Sequence, residues 1–550
     1  MKFKILFTLF TVVSVFSYSQ TISIPDSNFE QALIDLGKDS NGLTGDILLS
    51  DAQAIDSLNI QDPVNNSLLP NVSVKIQNLQ GIEAMTNLVS LEVGKNNLSS
   101  VDLSKNTVLT NLFLNDNQLT SIDVSNNVLL ERLGIMRNQV SILNVSMLPN
   151  LRDLFVHGNQ LTSIDVTSNT NLTWLYASDN NFGSIDVSNN TQLEFLYVWN
   201  CGLNSLDVSS LVNLKRLYAN INNFTTVDLS QNTQLERLSI YDGKLTSIDI
   251  TKNTLLKDVR LYNNQLTSID LSANTALEIF YADANSFSSI DLLSNINLRN
   301  VAVANQQSAS KLTSIDVSTL SNLKFLSLEK NNISTIDVSN NLSLENLIVF
   351  ENQLTSINVT NNTKLKYLWL GGATSDLSGN SETNRISSLD VTSNPDLKEL
   401  ITAGTQNLTS LDLSNNTELS LLNVNKNSFT NLDLSTNNKL SIFSFGGNNV
   451  SAIDVANKTM LKEIYVWETN LSTLNLSNNY ALKTVFVDHN NSLTSLSINN
   501  GNNVNLTNVT LTNNPNVTCV QVDDVTYATS NFTNIDNASL FNTDCGFSAP

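Results

Sequence analysis

The segment LTNLFLNDNQLTSIDVSNN, residues 109–127, contains one short pattern twice. LTNLFLNDN (109–117) and LTSIDVSNN (119–127) both match L-x-x-L-x-L-x-x-N, with isoleucine or valine at some of the leucine positions. In the central L-x-L of each half, the two apolar residues point to one side of an extended chain and the residue between them points to the other. The pattern therefore predicts two short strands in each unit, each with one outward-facing side chain.

The same unit recurs along most of the chain, as in LTSIDVTSN (161–169), LTSIDITKN (245–253) and LTSLDLSNN (408–416). Most successive copies between Val101 and Leu496 lie 21 residues apart. A fixed period of this length predicts a solenoid whose units pack on their neighbours. Ser, Thr, Asn and β-branched residues disfavour helix. The predicted fold class is a mostly β solenoid with two parallel sheets of short strands and little helix outside an N-terminal cap.

Charge and the N-terminus restrict where this protein acts and what it binds. The formal net charge is -21, which argues against nucleic acid as a partner because such binding needs clustered Lys and Arg. Lys2 and Lys4, the apolar stretch 5–16 and the small residues Ser17 and Ser19 have the features of a secretory signal. We expect a secreted, extracellular or cell-surface protein with no integral membrane segment after removal of residues 1–19.

The repeats resemble those of bacterial leucine-rich repeat proteins of the nested 21-residue class, which are internalin-like in general architecture. The segments IPDSNFEQALIDLG (24–37) and 517–545 resemble the end caps of secreted Bacteroidetes-type members. The resemblance implies a leucine-rich repeat solenoid that binds a protein ligand or acts in adhesion. The sequence is divided on this basis as follows: signal peptide 1–19, N-terminal cap and first irregular coils 20–80, repeat solenoid 81–512, C-terminal cap 513–550.

Both ends of a solenoid expose core and unpaired strand edges, so both need covers. Ser27 with Glu30 predicts a capping box that opens a helix, and Gly37 can end that helix. Cys519 and Cys545 are the only cysteine pair in one cap of an exported chain, so we predict a disulfide between them. Cys201 occupies the asparagine position of the repeat and is interpreted as a structural thiol.

Between the inward positions, the second half of the unit carries a row of aspartates, called here the Asp row. Its members are Asp102, Asp123, Asp165, Asp186, Asp207, Asp228, Asp249, Asp270, Asp291, Asp316, Asp337, Asp390, Asp412, Asp433 and Asp454, with Asn144, Asn358, Asn475 and Ser497 at the remaining positions. One interpretation is a solvated stripe that prevents sheet-to-sheet aggregation. The alternative is that the row binds Ca²⁺; no other cofactor is expected.

The outward positions of the first half collect aromatic and Arg residues, the types that anchor interfaces. The predicted ligand-binding residues are Phe155, Trp174, Tyr176, Phe195, Tyr197, Trp199, Arg216, Tyr218, Arg237, Tyr241, Arg260, Tyr262 and Tyr281. We interpret them as an exposed binding face; the alternative is cross-strand stacking that only stabilises the sheet. The departures from the 21-residue period, including GGATSDLSGNSETNR (371–385), fall at one corner after this face, where insertions often decorate a binding surface.

Motifs of enzyme chemistry are missing from the sequence. His157 and His489 are far apart in the array, and there is no nucleophile elbow, phosphate loop or Cys/His metal cluster. DSNG (39–42) is similar to the start of a calcium loop, but Leu43 occupies the third ligand position and Ser50 the position of the closing Glu, so it is discounted. We therefore expect a non-enzymatic recognition protein with a protein ligand. The alternatives are a polysaccharide-binding protein, since Trp and Tyr suit sugar rings, and a passive surface spacer.

Overall fold

The computed structural model describes residues 20–307, 311–372, 384–536 and 540–547. The predicted signal peptide (1–19) and most of the longest insertion (373–383) lie outside the described residues. The chain divides into two compact units, one ending at Leu211 and the other beginning at Val212.

The first unit begins with a mixed cap and continues as a stack of coils, each contributing one short strand. The cap contains β1 (Thr21–Ser23), α1 (Ser27–Asp35), β2 (Asp46–Leu48) and α2 (Leu49–Ala54), and β1 pairs with β2 in antiparallel register. The coil strands are β3 (Ser57–Asn59), β4 (Ser90–Glu92), β5 (Asn111–Phe113), β6 (Arg132–Gly134), β7 (Asp153–Phe155), β8 (Trp174–Tyr176) and β9 (Phe195–Tyr197). Short 3-10 turns lie at Pro63–Asn65 and Ile82–Ala84.

The coils of the first unit stack in strict parallel register. Leu91 of β4 pairs with Leu112 of β5, and Leu112 pairs with Leu133 of β6. These central leucines point into the core and are fully buried. The residues on either side of them point outward. The L-x-x-L-x-L template thus places one row of leucines above another along the core, which is where most of the apolar surface is buried.

The second unit follows the same plan. Its first-half strands are β10 (Arg216–Tyr218), β11 (Arg237–Ser239), β12 (Asp258–Arg260), β13 (Ile279–Tyr281), β14 (Asn300–Ala302), β15 (Phe325–Ser327), β16 (Asn346–Ile348), β17 (Tyr367–Trp369), β18 (Glu399–Ile401), β19 (Leu421–Asn423), β20 (Ile442–Ser444), β21 (Glu463–Trp467), β23 (Thr484–Asp488), β25 (Asn508–Thr512) and β27 (Asn534–Ile535). A second sheet consists of β22 (Thr473–Asn475), β24 (Ser495–Ser497), β26 (Cys519–Gln521) and β28 (Phe541–Asn542). A 3-10 turn at Asn503–Asn505 and helix α3 (Val525–Asn531) complete the described elements.

The predicted fold class is confirmed: both units are leucine-rich repeat solenoids with parallel sheets and few helices. The second sheet, however, is confined to the C-terminal coils, because the second half of the earlier repeats forms no strand among the described residues. There, side chains rather than backbone ladders connect successive coils. Asn127 Nδ2 donates to the carbonyls of Leu103 and Asn106 in the preceding coil, at 3.1 and 2.9 Å.

Most halves of the repeat end in an asparagine whose amide packs against the neighbouring coil, and the two asparagine ladders differ. In the first-half ladder, Asn264 uses both ends of its amide: Oδ1 accepts from the Leu245 N–H, and Nδ2 donates to the carbonyls of Ile240 and Leu261. In the second-half ladder, Asn253 Nδ2 donates to two carbonyls of the preceding coil, but its buried Oδ1 has no hydrogen-bond partner within the described residues.

The caps agree with the sequence except at the start of α1. Asp26, not Ser27, is the N-cap residue, because its Oδ1 accepts from the N–H groups of Asn28 and Phe29. Gly37 follows the helix at φ +66° and donates its N–H to the Ile34 carbonyl, as expected for a helix-ending glycine. The predicted disulfide between Cys519 and Cys545 is present, with 5.8 Å between the Cα atoms.

Candidate functional site

In the first unit, the outward residues of the first-half strands form a connected set of rings, here called the ring network. Its members are Phe113, Phe155, His157, Trp174, Tyr176, Phe195, Tyr197 and Trp199. Neighbouring ring centroids lie between 4.7 Å (His157 and Tyr176) and 6.4 Å (Phe113 and Phe155). Both tilted and edge-to-face pairs occur, which are the favourable arrangements for aromatic side chains.

The ring network is less exposed than the sequence analysis expected. Phe155 and Tyr197 are buried, at 9% and 8% exposure, and the other aromatic residues of the predicted set in this unit are half-buried. The expectation of freely exposed rings was therefore wrong for Phe155 and Tyr197. Large rings on strands about 4.8 Å apart partly cover one another. The same surface therefore contains rings that are buried by their neighbours and rings that stay partly accessible.

Gly134 allows the ring network to extend toward the N-terminal coils as far as Phe113. It lies on β6, between the strands that carry Phe113 and Phe155. A Cβ atom at this position would lie 2.5 Å from Cδ1 of Phe113. The missing side chain therefore lets the Phe113 ring lie across β6, in contact distance of the next ring.

Charged side chains border the ring network. Arg132 Nε lies 3.0 Å from Asp153 Oδ2, and its guanidinium lies over the Phe113 ring at 5.3 Å from the centroid. Arg137 Nη2 donates to Asp116 Oδ2 at 2.7 Å. These pairs are fixed by contacts within the protein, so they define a charged rim around an apolar centre.

His157 is packed inside the ring network rather than placed on plain surface. Burial lowers the pKa of His157 and outweighs the opposing effect of Asp179. Its Nδ1 lies 3.3 Å from Asp179 Oδ2, although not in hydrogen-bond geometry. A neutral imidazole at ordinary pH behaves here as one more flat ring.

The second unit carries a different surface on the equivalent strands, here called the tyrosine–arginine patch. Its members are Arg216, Tyr218, Arg237, Tyr241, Asp258, Arg260, Tyr262 and Tyr281. Tyr241 and Tyr262 stack at 4.2 Å between centroids with an interplanar angle of 13°. Arg260 makes a two-point contact with Asp258 and lies 5.5 Å from the centroid of the Tyr281 ring.

Exposure in the tyrosine–arginine patch varies. Arg237 is exposed, while the other predicted residues of this unit are half-buried. All thirteen predicted residues thus lie on first-half strands or two residues beyond them, six in the first unit and seven in the second. A role for them in ligand binding stays a prediction.

Two carboxylates next to the patch were not singled out by the sequence analysis as site residues. Burial, with a smaller effect of the nearby Glu329, raises the pKa of Asp283 to about 6 against the opposing hydrogen bond from the Ala304 N–H. Burial also raises the pKa of Glu329, whose Oε2 accepts a hydrogen bond from the Ser327 hydroxyl. No repeat pattern marks these positions, because the residue two places beyond the strand varies freely from coil to coil.

The Asp row has a local structural use in the turns. Asp165 Oδ1 accepts from the Thr167 N–H at 3.0 Å and from its hydroxyl at 2.7 Å. These hydrogen bonds lower the pKa of Asp165. Asn144 makes the same two contacts with Ser146, at 3.0 and 2.8 Å. Each such residue therefore closes an Asx turn, and calcium binding by the row remains an untested hypothesis.

Cys201 replaces an asparagine of the first-half ladder, as the sequence analysis proposed. Its Sγ lies 3.4 Å from the carbonyl oxygens of Ala177 and Trp199, the carbonyl positions that ladder asparagines bind. Burial raises the pKa of the thiol to about 12. A thiol held in this way is not a nucleophile at ordinary pH.

The described parts of the chain contain no group of three or more His, Cys, Asp or Glu side chains that could hold a metal ion. No helix among them is long and apolar enough to cross a membrane.

Comparison with solved structures places the chain among leucine-rich repeat folds. It is similar to the Arabidopsis receptor kinase HAESA, solved with the peptide hormone IDA and the co-receptor SERK1, at 18% identity and TM-score 0.57, covering 85% of this chain and 82% of that one. It is also similar to the plant peptide hormone receptor RGFR1 in complex with RGF2, at 16% identity and TM-score 0.55, covering 81% and 88%. The functional domain of InlJ from Listeria monocytogenes matches at 24% identity and TM-score 0.41, covering 87% and 82%. The likenesses to HAESA and RGFR1 show the fold.

No family model matches the sequence, and neither does any curated protein.

Proposed function

We propose that this protein is a secreted or cell-surface, non-enzymatic recognition protein of the Bacteroidetes leucine-rich repeat type, acting in adhesion or signalling through a protein ligand. In each unit by itself, the outward residues of the first-half strands are the candidate contacts. The fold is shared with the peptide hormone receptor RGFR1 in complex with RGF2 and with the receptor kinase HAESA in complex with the peptide hormone IDA, which supports a protein or peptide as the ligand class.

The single observation that carries the proposal is that the Trp199 side chain is already packed against neighbouring rings. The indole is half-buried and lies within 5.1–6.1 Å of three other rings, those of Tyr176, His157 and Tyr197. Its backbone N–H donates to Ser178 Oγ at 3.1 Å. A large ring that is already immobilised loses little conformational entropy on binding, which is the property of an interface hot spot.

The second unit adds charge selectivity. Asp283 and Glu329 are carboxylates whose charged forms are poorly solvated. A basic side chain of a ligand would stabilise both, while the strongly negative chain repels acidic ligands. We therefore expect the ligand to present basic and aromatic side chains.

A panel of extracellular proteins and a glycan array, both probed with the purified chain, test this function. We expect saturable binding to a protein that falls at least tenfold in Trp199→Ala, by loss of about 2 kcal/mol. Asp186→Ala, on the second half of the repeat, is the matched control and should bind normally. Binding to a glycan instead of a protein would establish the polysaccharide alternative, and equal binding by both variants would contradict a role for the ring network.

A further inference from the structure

The N-terminal cap contains a polar loop that the proposed function does not use. Asp39, at its start, is 6% exposed. Its Oδ1 accepts from the Asn41 N–H at 3.1 Å, but its Oδ2 is buried and has no hydrogen-bond partner among the described residues. A buried carboxylate oxygen without a partner costs free energy, so something outside the protein chain is expected to satisfy it.

Asn41 presents a second oxygen of the same kind. Its Nδ2 donates to Thr44 Oγ1 at 2.7 Å, to the Asp46 carbonyl at 3.0 Å and to Asp46 Oδ1 at 2.8 Å. These acceptors fix the orientation of the amide, because a flipped amide would set its oxygen against the two oxygens of Asp46. Asn41 Oδ1 is consequently turned away from them, and it too is buried without a partner in the described chain.

Further carboxylates lie near Asp39. Asp51 Oδ2 accepts from the N–H and the hydroxyl of Ser40, at 3.0 and 2.6 Å, so it lies against the residue between Asp39 and Asn41. Glu30, 1% exposed, accepts from the amides of residues 44–46. Glu30, Asp51 and Asp46 all lie close enough to Asp39 for their charges to act on its carboxylate.

We propose that this loop binds a hard divalent cation, Ca²⁺, with Asp39 Oδ2 and Asn41 Oδ1 as protein ligands. Carboxylate and amide oxygens are the ligands that Ca²⁺ prefers, and the surrounding negative charge favours a cation over any neutral occupant. The cation would also neutralise the carboxylates that the fold brings together in this cap. The proposal is independent of the ligand-binding function.

The structure corrects the reason for which the DSNG segment was discounted. Ser50 does occupy the position of the closing Glu, but the next residue, Asp51, reaches the loop through Ser40. With only two protein ligands of this kind, water completes the coordination. The affinity is therefore expected near that of extracellular calcium modules, with Kd on the order of 0.1–1 mM.

Calcium titration of the metal-stripped full chain tests the site. We expect one saturable site by calorimetry, and slower amide hydrogen exchange confined to residues 38–51 when Ca²⁺ is added. Asp39→Asn keeps the shape and the contact to Asn41 but removes the charge, and should weaken binding at least tenfold. Asp249→Asn, in the Asp row, is the control that should bind like the wild type.

Three results would overturn the proposal: no saturable binding up to about 10 mM Ca²⁺, binding unchanged in Asp39→Asn, or slower exchange spread over the repeats instead of the loop. The first is expected if a water molecule satisfies both oxygens. If Asp39→Asn does not fold by circular dichroism, the exchange footprint on the wild-type chain decides alone.

Discussion

The two halves of each repeat start from the same L-x-x-L-x-L-x-x-N pattern but form different structures. The first half builds a strand that pairs with the next coil, as when Leu217 of β10 pairs with Leu238 of β11. The second half, in all but the C-terminal coils of the described chain, forms a run of turns that is linked to its neighbours by asparagine side chains. The inward residues are alike in both, so the outward and flanking residues must cause the difference.

The outward residue of the second half favours a turn. In the second half it is usually Asp, whose Oδ1 takes the N–H two residues further on, as Asp249 does with Thr251 at 2.9 Å. Asp also favours local turns over strands. In the first half the outward residue varies from coil to coil: aromatic, Arg and β-branched residues, which suit a pleated sheet, occur beside residues such as Glu92, Gly134 and Ser239. One half therefore serves as a repeated structural element and the other as the variable surface.

The largest expected difference between the two halves is in the free energy of unfolding when one asparagine of each ladder is replaced by leucine. Asn264→Leu should lower the free energy of unfolding by about 3 kcal/mol, because it leaves the Leu245 N–H and buried carbonyls without partners. Asn253→Leu, its counterpart in the second half, should cost only about 1 kcal/mol, since its Oδ1 is already without a partner. Urea unfolding of both variants measures the difference.

The chain already contains leucine at some positions of the second-half ladder. Leucine occupies the second-half ladder position at Leu148, Leu211 and Leu320, each fully buried. Equal losses for Asn264→Leu and Asn253→Leu would mean that the two ladders contribute alike, and that the halves differ less than their hydrogen bonds indicate.

Carboxylates on the two halves should respond to pH in opposite ways. Asp283 has its pKa raised to about 6 by burial, so the folded state binds its proton more tightly than the unfolded chain does. Its stabilising effect is complete below about pH 4 and is lost as the pH rises through about 6. Asp283→Asn should therefore stabilise the protein by about 2 kcal/mol at pH 8 and by nothing near pH 4, measured as urea unfolding at both pH values.

Asp270, in the Asp row, is the matched control for this prediction. Hydrogen bonds from Ser272 lower its pKa, so it contributes stability above its unfolded pKa that is lost as the pH falls. Asp270→Asn should give no gain at pH 8. If it stabilised the protein as much as Asp283→Asn, general charge reduction rather than burial would be the cause.

The fold was predictable because the repeat fixes which side chains point inward. The same pattern explained Cys201, whose Sγ takes over two asparagine contacts, whereas the disulfide was predicted from the only cysteine pair in the C-terminal cap. The pattern could not give the exposure of the aromatic face, since Tyr197 is buried by rings on neighbouring coils rather than by its own strand. It also missed the loop at Asp39, whose surroundings come from residues distant in sequence, such as Glu30 and Asp51.

A smaller effect is expected from Gly134, which lies where two rings meet on the first-half face. Gly134→Ala would place a methyl group 2.5 Å from the Phe113 ring, so the ring must rotate away. We expect the free energy of unfolding to fall by about 1 kcal/mol and the near-ultraviolet circular dichroism spectrum to change. An unchanged spectrum would mean that Phe113 does not depend on Gly134 for its position. Gly183→Ala, where no atom lies within 4 Å of the added Cβ, controls for removal of a glycine, although its positive φ adds backbone strain.

The smallest effect is expected in the Asp row. Asp249→Asn preserves Oδ1, and with it the hydrogen bonds from the Thr251 N–H and hydroxyl. Asn144 and Asn358 already close their turns in this way. The change in unfolding free energy should therefore stay within about 0.5 kcal/mol, and millimolar Ca²⁺ should shift the melting temperature of the variant as much as that of the wild type. A variant that lost its calcium response would assign the cation to the Asp row and remove the distinction between a structural second half and a binding first half. An unchanged response would leave the aspartates as turn-closing groups whose charge serves solubility.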